Sequence, residues 1–325
     1  MATGRGRARL SAKLSENDSH LCILRAFVRR VPLLIALSLA VVAGCGDDGG
    51  GDGGVSAVAT TTQVSDLVRN VGGDRVAVDG ILPPNADPHD YEPRPSDAAA
   101  LSDADVVFSS GGDLDEWLDE VIDSAGGDAE RVTLIEWVKT KGDDPHWWQD
   151  PRNAILAVGA IRDALVEADP DGRAGYERRA AAYTRTLRRL DAEIERCTSE
   201  VPAAKRKLVT THDALGYFAD RYGIEVIGAV IPSLSTQAQP SARDVNHLVD
   251  QIRAEGVEAI FPEAAVSQKL EQAISREAGA DVGRELYADT LGPEGSAGAT
   301  YLGAMRSNAD ALAEGMSGGL VRCGL

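Results

Sequence analysis

A long amphipathic stretch in the middle of the chain constrains the fold more than any other feature. Between Pro170 and Glu200, apolar side chains recur every three or four residues, and the opposite face is crowded with arginine and glutamate. This period predicts one surface helix of about 25 residues, roughly 37 Å long. The apolar positions are Tyr176, Ala180, Tyr183, Leu187, Leu190, Ile194 and Cys197. Such a helix joins two parts of a molecule as a rod and not as a loose linker.

Strand-like and helix-like segments alternate on both sides of this helix. Alternation of this kind predicts parallel sheets covered by helices. We therefore predict an α/β fold of two lobes, each a mainly parallel four-stranded sheet flanked by helices. The last strand is predicted at Arg284–Ala288, ending at Asp289. The predicted boundaries are 55–169 for the N-terminal lobe, 170–201 for the linking helix and 202–325 for the C-terminal lobe.

The N-terminus has the pattern of a targeting segment. Residues 25–45 contain basic residues, then an apolar run too short to span a membrane, then small residues, which is typical of a secretory signal. Val42-Ala43-Gly44-Cys45 resembles the lipobox of bacterial lipoproteins. We predict a signal peptide over 1–44, a lipid on Cys45 that anchors the protein to the outer face of the cell membrane, and a flexible Gly/Asp tether over 45–54. The alternative is an ordinary cleaved signal with an incidental cysteine.

The acidic composition limits the partners that the chain could bind. The formal net charge is −18, and because residues 1–44 carry seven Lys/Arg and two Asp/Glu, the remainder carries −23. This excess of acid argues against nucleic acid and against an anionic membrane surface as partners. It would favour the approach of cations weakly, but solubility alone is the preferred explanation.

Two of the four cysteines remain available for pairing. Cys22 is lost with the predicted signal peptide and Cys45 is taken by the lipid, which leaves Cys197 and Cys323 in an oxidising compartment. We predict a disulfide between them. Two separate buried thiols are the alternative.

Histidines at strand ends carry the strongest functional signal. Beyond residue 44 the chain has four histidines, and His89, His146 and His212 each follow a predicted strand directly or in the next loop. Ligands of open α/β sheets bind at the carboxyl ends of strands, so two facing lobes would bring these imidazoles together with Asp289. Three imidazoles and a carboxylate suit Zn²⁺, and no cysteine remains to serve as a ligand. The fourth histidine, His247, is predicted to lie on the surface of a helix.

Two neighbouring features refine this hypothesis. His146 lies on a short rigid loop that ends at Asp150-Pro151, a pair that suits the N-cap and first position of a helix. Glu263, after Phe261-Pro262, is predicted to hydrogen-bond to a metal ligand from outside the site or to replace Asp289 as the carboxylate ligand.

The combined pattern resembles the solute-binding lipoproteins of ABC importers for zinc and manganese, the cluster A-I family, of the zinc-uptake type. The resemblance rests on the lipobox and on four further motifs in the order of that family. These are Asn85-Ala86-Asp87-Pro88-His89-Asp90-Tyr91-Glu92-Pro93, Asp144-Pro145-His146-Trp147, Thr211-His212-Asp213-Ala214-Leu215-Gly216-Tyr217-Phe218 and Asp289-Thr290-Leu291-Gly292.

This resemblance implies a monomeric receptor, with no enzymatic activity, that delivers metal to an ABC permease. It implies metal in the cleft between two lobes, bound by His89, His146, His212 and Asp289. Histidine at the third position is typical of zinc members and glutamate of manganese members, so His212 favours Zn²⁺. The chain departs from many zinc members because the segment between its first two ligands lacks a His-rich loop, which leaves Mn²⁺ as the alternative.

Two other classes of function remain open from the sequence. A zinc hydrolase would need Asp289 away from the metal and a general base such as Glu263 or Asp213. No His-Glu-x-x-His motif occurs in the chain. A lipid-anchored adhesin or interaction module is the third class, and no motif specifies its partner.

Overall fold

The computed structural model describes residues 54–325. The predicted signal peptide over 1–44, the lipidation site Cys45 and all of the tether except Gly54 lie outside the described residues. Within the described part of the chain, no helix is both long and apolar enough to cross a membrane.

The N-terminal part contains a four-stranded sheet in which every neighbouring pair of strands is parallel. The strand order is β2-β1-β3-β4, and Ala57 of β1 is in register with Val78 on one side and Val106 on the other. The strands are β1 (Val55–Ala59), β2 (Val76–Gly80), β3 (Val106–Ser109) and β4 (Glu130–Thr133). The helices of this part are α1 (Thr62–Gly72), α2 (Pro95–Ser102), α3 (Trp117–Ala125) and α4 (Pro151–Ala168). Asp150 caps α4 by accepting from the backbone N–H of Arg152, as the Asp150-Pro151 pair predicts.

The central helix α5 (Arg173–Glu200) has 28 residues and confirms the long amphipathic helix. All seven apolar positions that define its period are buried. The helix packs on α1 and α4, and on two helices of the C-terminal part, Gly216–Tyr222 and Tyr301–Met316. Near its C-terminal end, Cys197 is joined by a disulfide to Cys323 in the tail of the chain.

The C-terminal part repeats the parallel arrangement in a less regular form. Strands β5 (Lys207–His212) and β6 (Glu225–Ile231) form one parallel pair, and the two-residue strands β7 (Ala259–Ile260) and β8 (Asp281–Val282) form another. A bridge between Thr210 and Phe261 joins the pairs, so that four strands follow one another in the order β6-β5-β7-β8. The helices are α6 (Gly216–Tyr222), α7 (Ala242–Glu255), α8 (Lys269–Ala278) and α9 (Tyr301–Met316).

The last predicted strand differs from the structure in its position. The ladder with β7 forms at Asp281–Val282, and residues 284–288 contribute a single bridge between Leu286 and Glu263. The ladder is interrupted at Pro262, which has no N–H to donate to the neighbouring segment. Pairing returns at Leu286, whose N–H donates to the carbonyl of Pro262 over 2.8 Å. On the opposite edge, the backbone N–H and carbonyl of Tyr287 bond to the side-chain amide of Asn308, each over 2.8 Å.

One hydrophobic core runs through both parts of the molecule. It extends from Val55 and Phe108 of the first sheet, across Leu187 of α5, to Phe261 and Met316. Because this core is continuous, the lobe boundaries at 169/170 and 201/202 remain predictions. The shared core favours limited motion of one lobe against the other.

Candidate metal centre

The four predicted ligands come together from four separate loops or strand ends. His212 is the last residue of β5, and His89 lies in a 3₁₀ turn, Pro88–Asp90, in the loop after β2. His146 directly precedes the 3₁₀ turn that leads into α4, and Asp289 lies in the loop between β8 and α9. One ligand-capable atom from each residue lies within 4.8 Å of the others.

The side chains face one another inside the protein. Asp289 Oδ2 lies 3.1 Å from His212 Nε2 and 3.4 Å from His89 Nε2, and Asp289 Oδ1 lies 3.4 Å from His146 Nε2. The Nε2 atoms of His146 and His212 are 3.3 Å apart. The exposed fractions of the side chains are 2% for His89, 0% for His146 and His212, and 4% for Asp289. Three imidazole nitrogens and a carboxylate therefore converge on one buried point.

Several of these buried polar atoms lack a hydrogen-bond partner. Neither carboxylate oxygen of Asp289 nor Nε2 of His89 has one among residues 54–325. A buried polar group that stays unpaired destabilises a protein, and a buried carboxylate costs far more than a neutral group. A divalent cation among these atoms would satisfy them together, because carboxylate oxygen and imidazole nitrogen are both ligands of such ions.

Two carboxylates hold the far sides of the imidazole rings. Asp144 Oδ1 lies 2.8 Å from Nδ1 of His146, and Glu263 Oε2 lies 2.7 Å from Nδ1 of His212. An ionised carboxylate only accepts, so in each neutral ring Nδ1 carries the hydrogen and Nε2 presents its lone pair to the centre. Two lone pairs that face each other at 3.3 Å repel unless a cation lies near both.

Burial and neighbouring charges shift the pKa values of three groups in and beside this cluster. Burial alone would lower the pKa of His212, but the charges of Asp289 and Glu263 outweigh burial and raise it well above its ordinary value. Burial alone would raise the pKa of Asp289, but His212 and His146 hold it well below its ordinary range. Burial raises the pKa of Glu263. Without metal, the two carboxylates thus favour the protonated form of His212.

The loop that carries Asp289 is fastened to the opposite side of the cleft. The carbonyl of Ala288 accepts from Trp148 Nε1 and from Gln149 Nε2, each over 2.9 Å. The next loop residues are held as well, since the N–H of Leu291 donates to Thr62 Oγ1 over 2.8 Å. These bonds fix the carboxylate with respect to the loop that carries His146.

The structure thus brings His89, His146, His212 and Asp289 together and places Glu263 directly behind His212. His247 lies exposed on α7 and apart from this cluster. Sequence reasoning missed the role of Asp144. A signal was present, because the tripeptide Asp-Pro-His occurs twice, and in both copies the aspartate accepts from the backbone N–H of the histidine, over 2.9 Å in the first and 3.0 Å in the second.

Comparison with known proteins decides the family. The sequence model of the family described as "ZnuA: Zinc-uptake complex component A periplasmic" matches residues 57–315. The chain belongs to this family. Membership in it confirms the resemblance, and it confirms the prediction of a transport receptor that is not an enzyme. The hydrolase alternative therefore loses its support.

Individual relatives and structures agree with this membership. The chain is 34% identical to the manganese-binding lipoprotein MntA of Halalkalibacterium halodurans over 297 residues, which cover 88% of this chain and 97% of the relative. It is 32% identical to the iron-binding protein YfeA of Yersinia pestis, with 79% and 85% covered. The structure of the periplasmic zinc-binding protein TroA from Treponema pallidum matches with a TM-score of 0.76 at 29% identity, covering 82% of this chain and all of that one.

These similarities confirm the two-lobe α/β fold and the general function. The protein is a metal-binding receptor, the substrate-binding component of an ABC importer. The names of its relatives include zinc, manganese and iron, so the comparisons leave the choice of metal to the chemistry of the site.

Proposed function

We propose that the protein captures extracytoplasmic Zn²⁺ and delivers it to the permease of an ABC importer, and that His89, His146, His212 and Asp289 bind the ion. The observation that carries the proposal is the convergence of three Nε2 atoms on one carboxylate in a buried cluster. Zn²⁺ favours four ligands and accepts imidazole readily. The metal is cargo, and a full set of protein ligands leaves little open coordination for catalysis.

Manganese is the second candidate. The relative with 34% identity is named a manganese-binding lipoprotein, which supports this alternative. Mn²⁺ is best suited by carboxylate, carbonyl and water oxygens, and affinities for a site that contains nitrogen ligands generally rise from Mn²⁺ towards Zn²⁺. A ligand set with one carboxylate and three imidazoles therefore favours zinc.

The proposed location follows from the N-terminal sequence and from the relatives. We propose that Cys45 is lipidated after cleavage of residues 1–44, and that residues 45–54 tether the receptor to the outer face of the membrane. Several relatives are named lipoproteins, among them MntA of Halalkalibacterium halodurans and SloC of Streptococcus mutans, which supports an anchor of this kind.

The direct test is a competition titration of the metal-stripped protein with a chelator of known affinity, carried out with Zn²⁺ and with Mn²⁺. We expect Zn²⁺ to bind more tightly than Mn²⁺. We expect His146→Ala to weaken Zn²⁺ binding by more than about 100-fold, beyond the usual effect of removing an outer partner of a metal ligand. The matched control is His247→Ala, which removes an exposed imidazole on α7 and should leave the affinity unchanged.

Two outcomes would contradict the proposal. Tighter binding of Mn²⁺ than of Zn²⁺ would favour the manganese alternative. Equal affinities of His146→Ala and the wild type for Zn²⁺ would contradict the assignment of the binding site to this cluster.

A further inference from the structure

A short turn of the N-terminal part supports His146. The turn runs from Lys141 to Asp144, where the N–H of Asp144 donates to the carbonyl of Lys141 over 3.1 Å. Asp144 Oδ1 then accepts from the backbone N–H of His146 over 3.0 Å and from its Nδ1 over 2.8 Å. The position of this turn therefore sets the orientation of the imidazole.

A tyrosine from the C-terminal part closes this turn. The hydroxyl of Tyr217, at the start of α6, accepts from the N–H of Lys141 over 2.8 Å and donates to the carbonyl of Asp144 over 3.1 Å. Tyr217 is only 6% exposed, so both bonds are shielded from water. One hydroxyl thus joins the two ends of the turn from across the cleft.

The remaining contacts of α6 with this turn differ in strength. Lys141 Nζ lies 2.8 Å from Asp220, but their side chains are 44% and 68% exposed, and an ion pair so exposed contributes little. Gly216 packs closely, because a Cβ at this position would lie 2.8 Å from Asp144 Oδ2. Within α6, the hydroxyl of Tyr217 therefore bonds directly to Asp144, and Gly216 leaves the space that the Asp144 carboxylate occupies.

The same segment also carries a metal ligand. Helix α6 begins four residues after His212, and Tyr217 lies five residues after His212. A displacement of this segment would move His212 and release the turn behind His146 together. The segment from His212 to Tyr217 therefore holds two imidazoles, that of His212 directly and that of His146 through the turn.

We propose that Tyr217 is a positioning residue for metal retention, which acts on His146 through Asp144 from the opposite lobe. This inference rests on the proposed metal site. It assigns to α6 a role beyond packing: its N-terminal end keeps the imidazole of His146 aimed at the metal, and release of the metal requires this contact to open.

The test compares two tyrosines of the same helix that each lose only a hydroxyl. In Tyr217→Phe we expect Zn²⁺ to dissociate into excess chelator about tenfold faster, the lower end of the effect of removing an outer partner of a metal ligand. The matched control is Tyr222→Phe, whose hydroxyl contacts Asp191 and not the site. The visible absorption of bound Co²⁺ should change in Tyr217→Phe and stay constant in Tyr222→Phe, which a purely structural role would not produce.

A second variant probes the same contact without touching the tyrosine. Gly216→Ala should displace the carboxylate of Asp144 and speed Zn²⁺ dissociation, because a Cβ at this position would lie 2.8 Å from Asp144 Oδ2. Dissociation rates of both variants equal to that of Tyr222→Phe would overturn the inference while leaving the proposed function intact. Failure of the wild type to bind Zn²⁺ would instead contradict the proposed function.

Discussion

At the scale of single residues, a proton and a metal ion would compete at the proposed site. Asp289 and Glu263 raise the pKa of His212 well above its ordinary value, although burial opposes them. The protonated form of His212 is therefore favoured when no metal is bound. An imidazole must be neutral to bind metal, so Zn²⁺ has to displace this proton.

We expect the affinity for Zn²⁺ to fall as the pH falls, beginning above the usual imidazole range near 6.5. Calorimetric titration at pH 7 in two buffers of different ionisation enthalpy should show that protons are released as Zn²⁺ binds. A binding heat independent of the buffer would contradict this expectation. His247→Ala serves as the control and should release as many protons as the wild type, because that imidazole is exposed.

The same pKa shift has the opposite effect on the metal-free fold. A histidine whose pKa is raised on folding contributes stability that is fully present below its unfolded pKa and is lost as the pH rises through the folded one. The contribution of His212 to the metal-free protein thus declines with rising pH over the range in which the affinity for Zn²⁺ increases.

The sequence predicted the residues at the centre better than those around it. His89, His146 and His212 could be found because strand ends are recognisable from local patterns and parallel strands share an edge. Asp144 and Tyr217 could not be paired in this way, since their contact depends on how two separate parts of the chain pack. The repeated Asp-Pro-His tripeptide was the one local signal for Asp144.

At the scale of secondary structure, local periodicity predicted helices well and the late strands poorly. The seven apolar positions of α5 all became buried, because a helical period depends on the sequence of the helix alone. The strand expected at Arg284–Ala288 contributes only a single bridge, because Pro262 in the neighbouring segment has no N–H to donate to it. Which segment lies beside these residues depends on the packing of the chain, so no pattern within residues 284–288 indicates the interruption.

The disulfide between Cys197 of α5 and Cys323 of the tail is a testable property of these elements. It closes a loop with a sequence separation of 126 residues. We expect Cys323→Ser to lower the free energy of unfolding by about 2–4 kcal/mol, because the unfolded chain regains the freedom of that loop. Denaturant unfolding of both proteins measures the difference, and the affinity for Zn²⁺ should be retained. Two alkylatable thiols in the native wild-type protein would contradict the prediction.

At the scale of the whole molecule, the two lobes are joined by more than their linking helix. A single hydrophobic core passes through both, and polar contacts close the cleft at two rims. One rim is the Tyr217 contact, and at the other Thr236 Oγ1 donates to Asp87 Oδ2 over 2.6 Å while Gln237 donates to the carbonyl of His89. We therefore expect metal exchange to occur by local opening of a rim and not by a wide rotation of the lobes.

The overall architecture was accessible from the sequence because two levels of pattern agreed. The rod-like α5 divides two stretches of alternating strands and helices, and that arrangement leaves few folds to consider. The continuity of the core across the lobes was not accessible, since it arises where side chains of α5 and α9 meet both sheets. The limits of each lobe therefore remain less sharp than the sequence pattern predicts.

The proposition that two lobes enclose one divalent ion is tested most directly by diffraction from Zn²⁺-loaded crystals at the zinc absorption edge. We expect one strong anomalous peak inside the protein, within about 2.0–2.2 Å of Nε2 of all three histidines and of a carboxylate oxygen of Asp289. A peak at another place in the protein, or none at this cluster in crystals of the loaded protein, would contradict the proposed site.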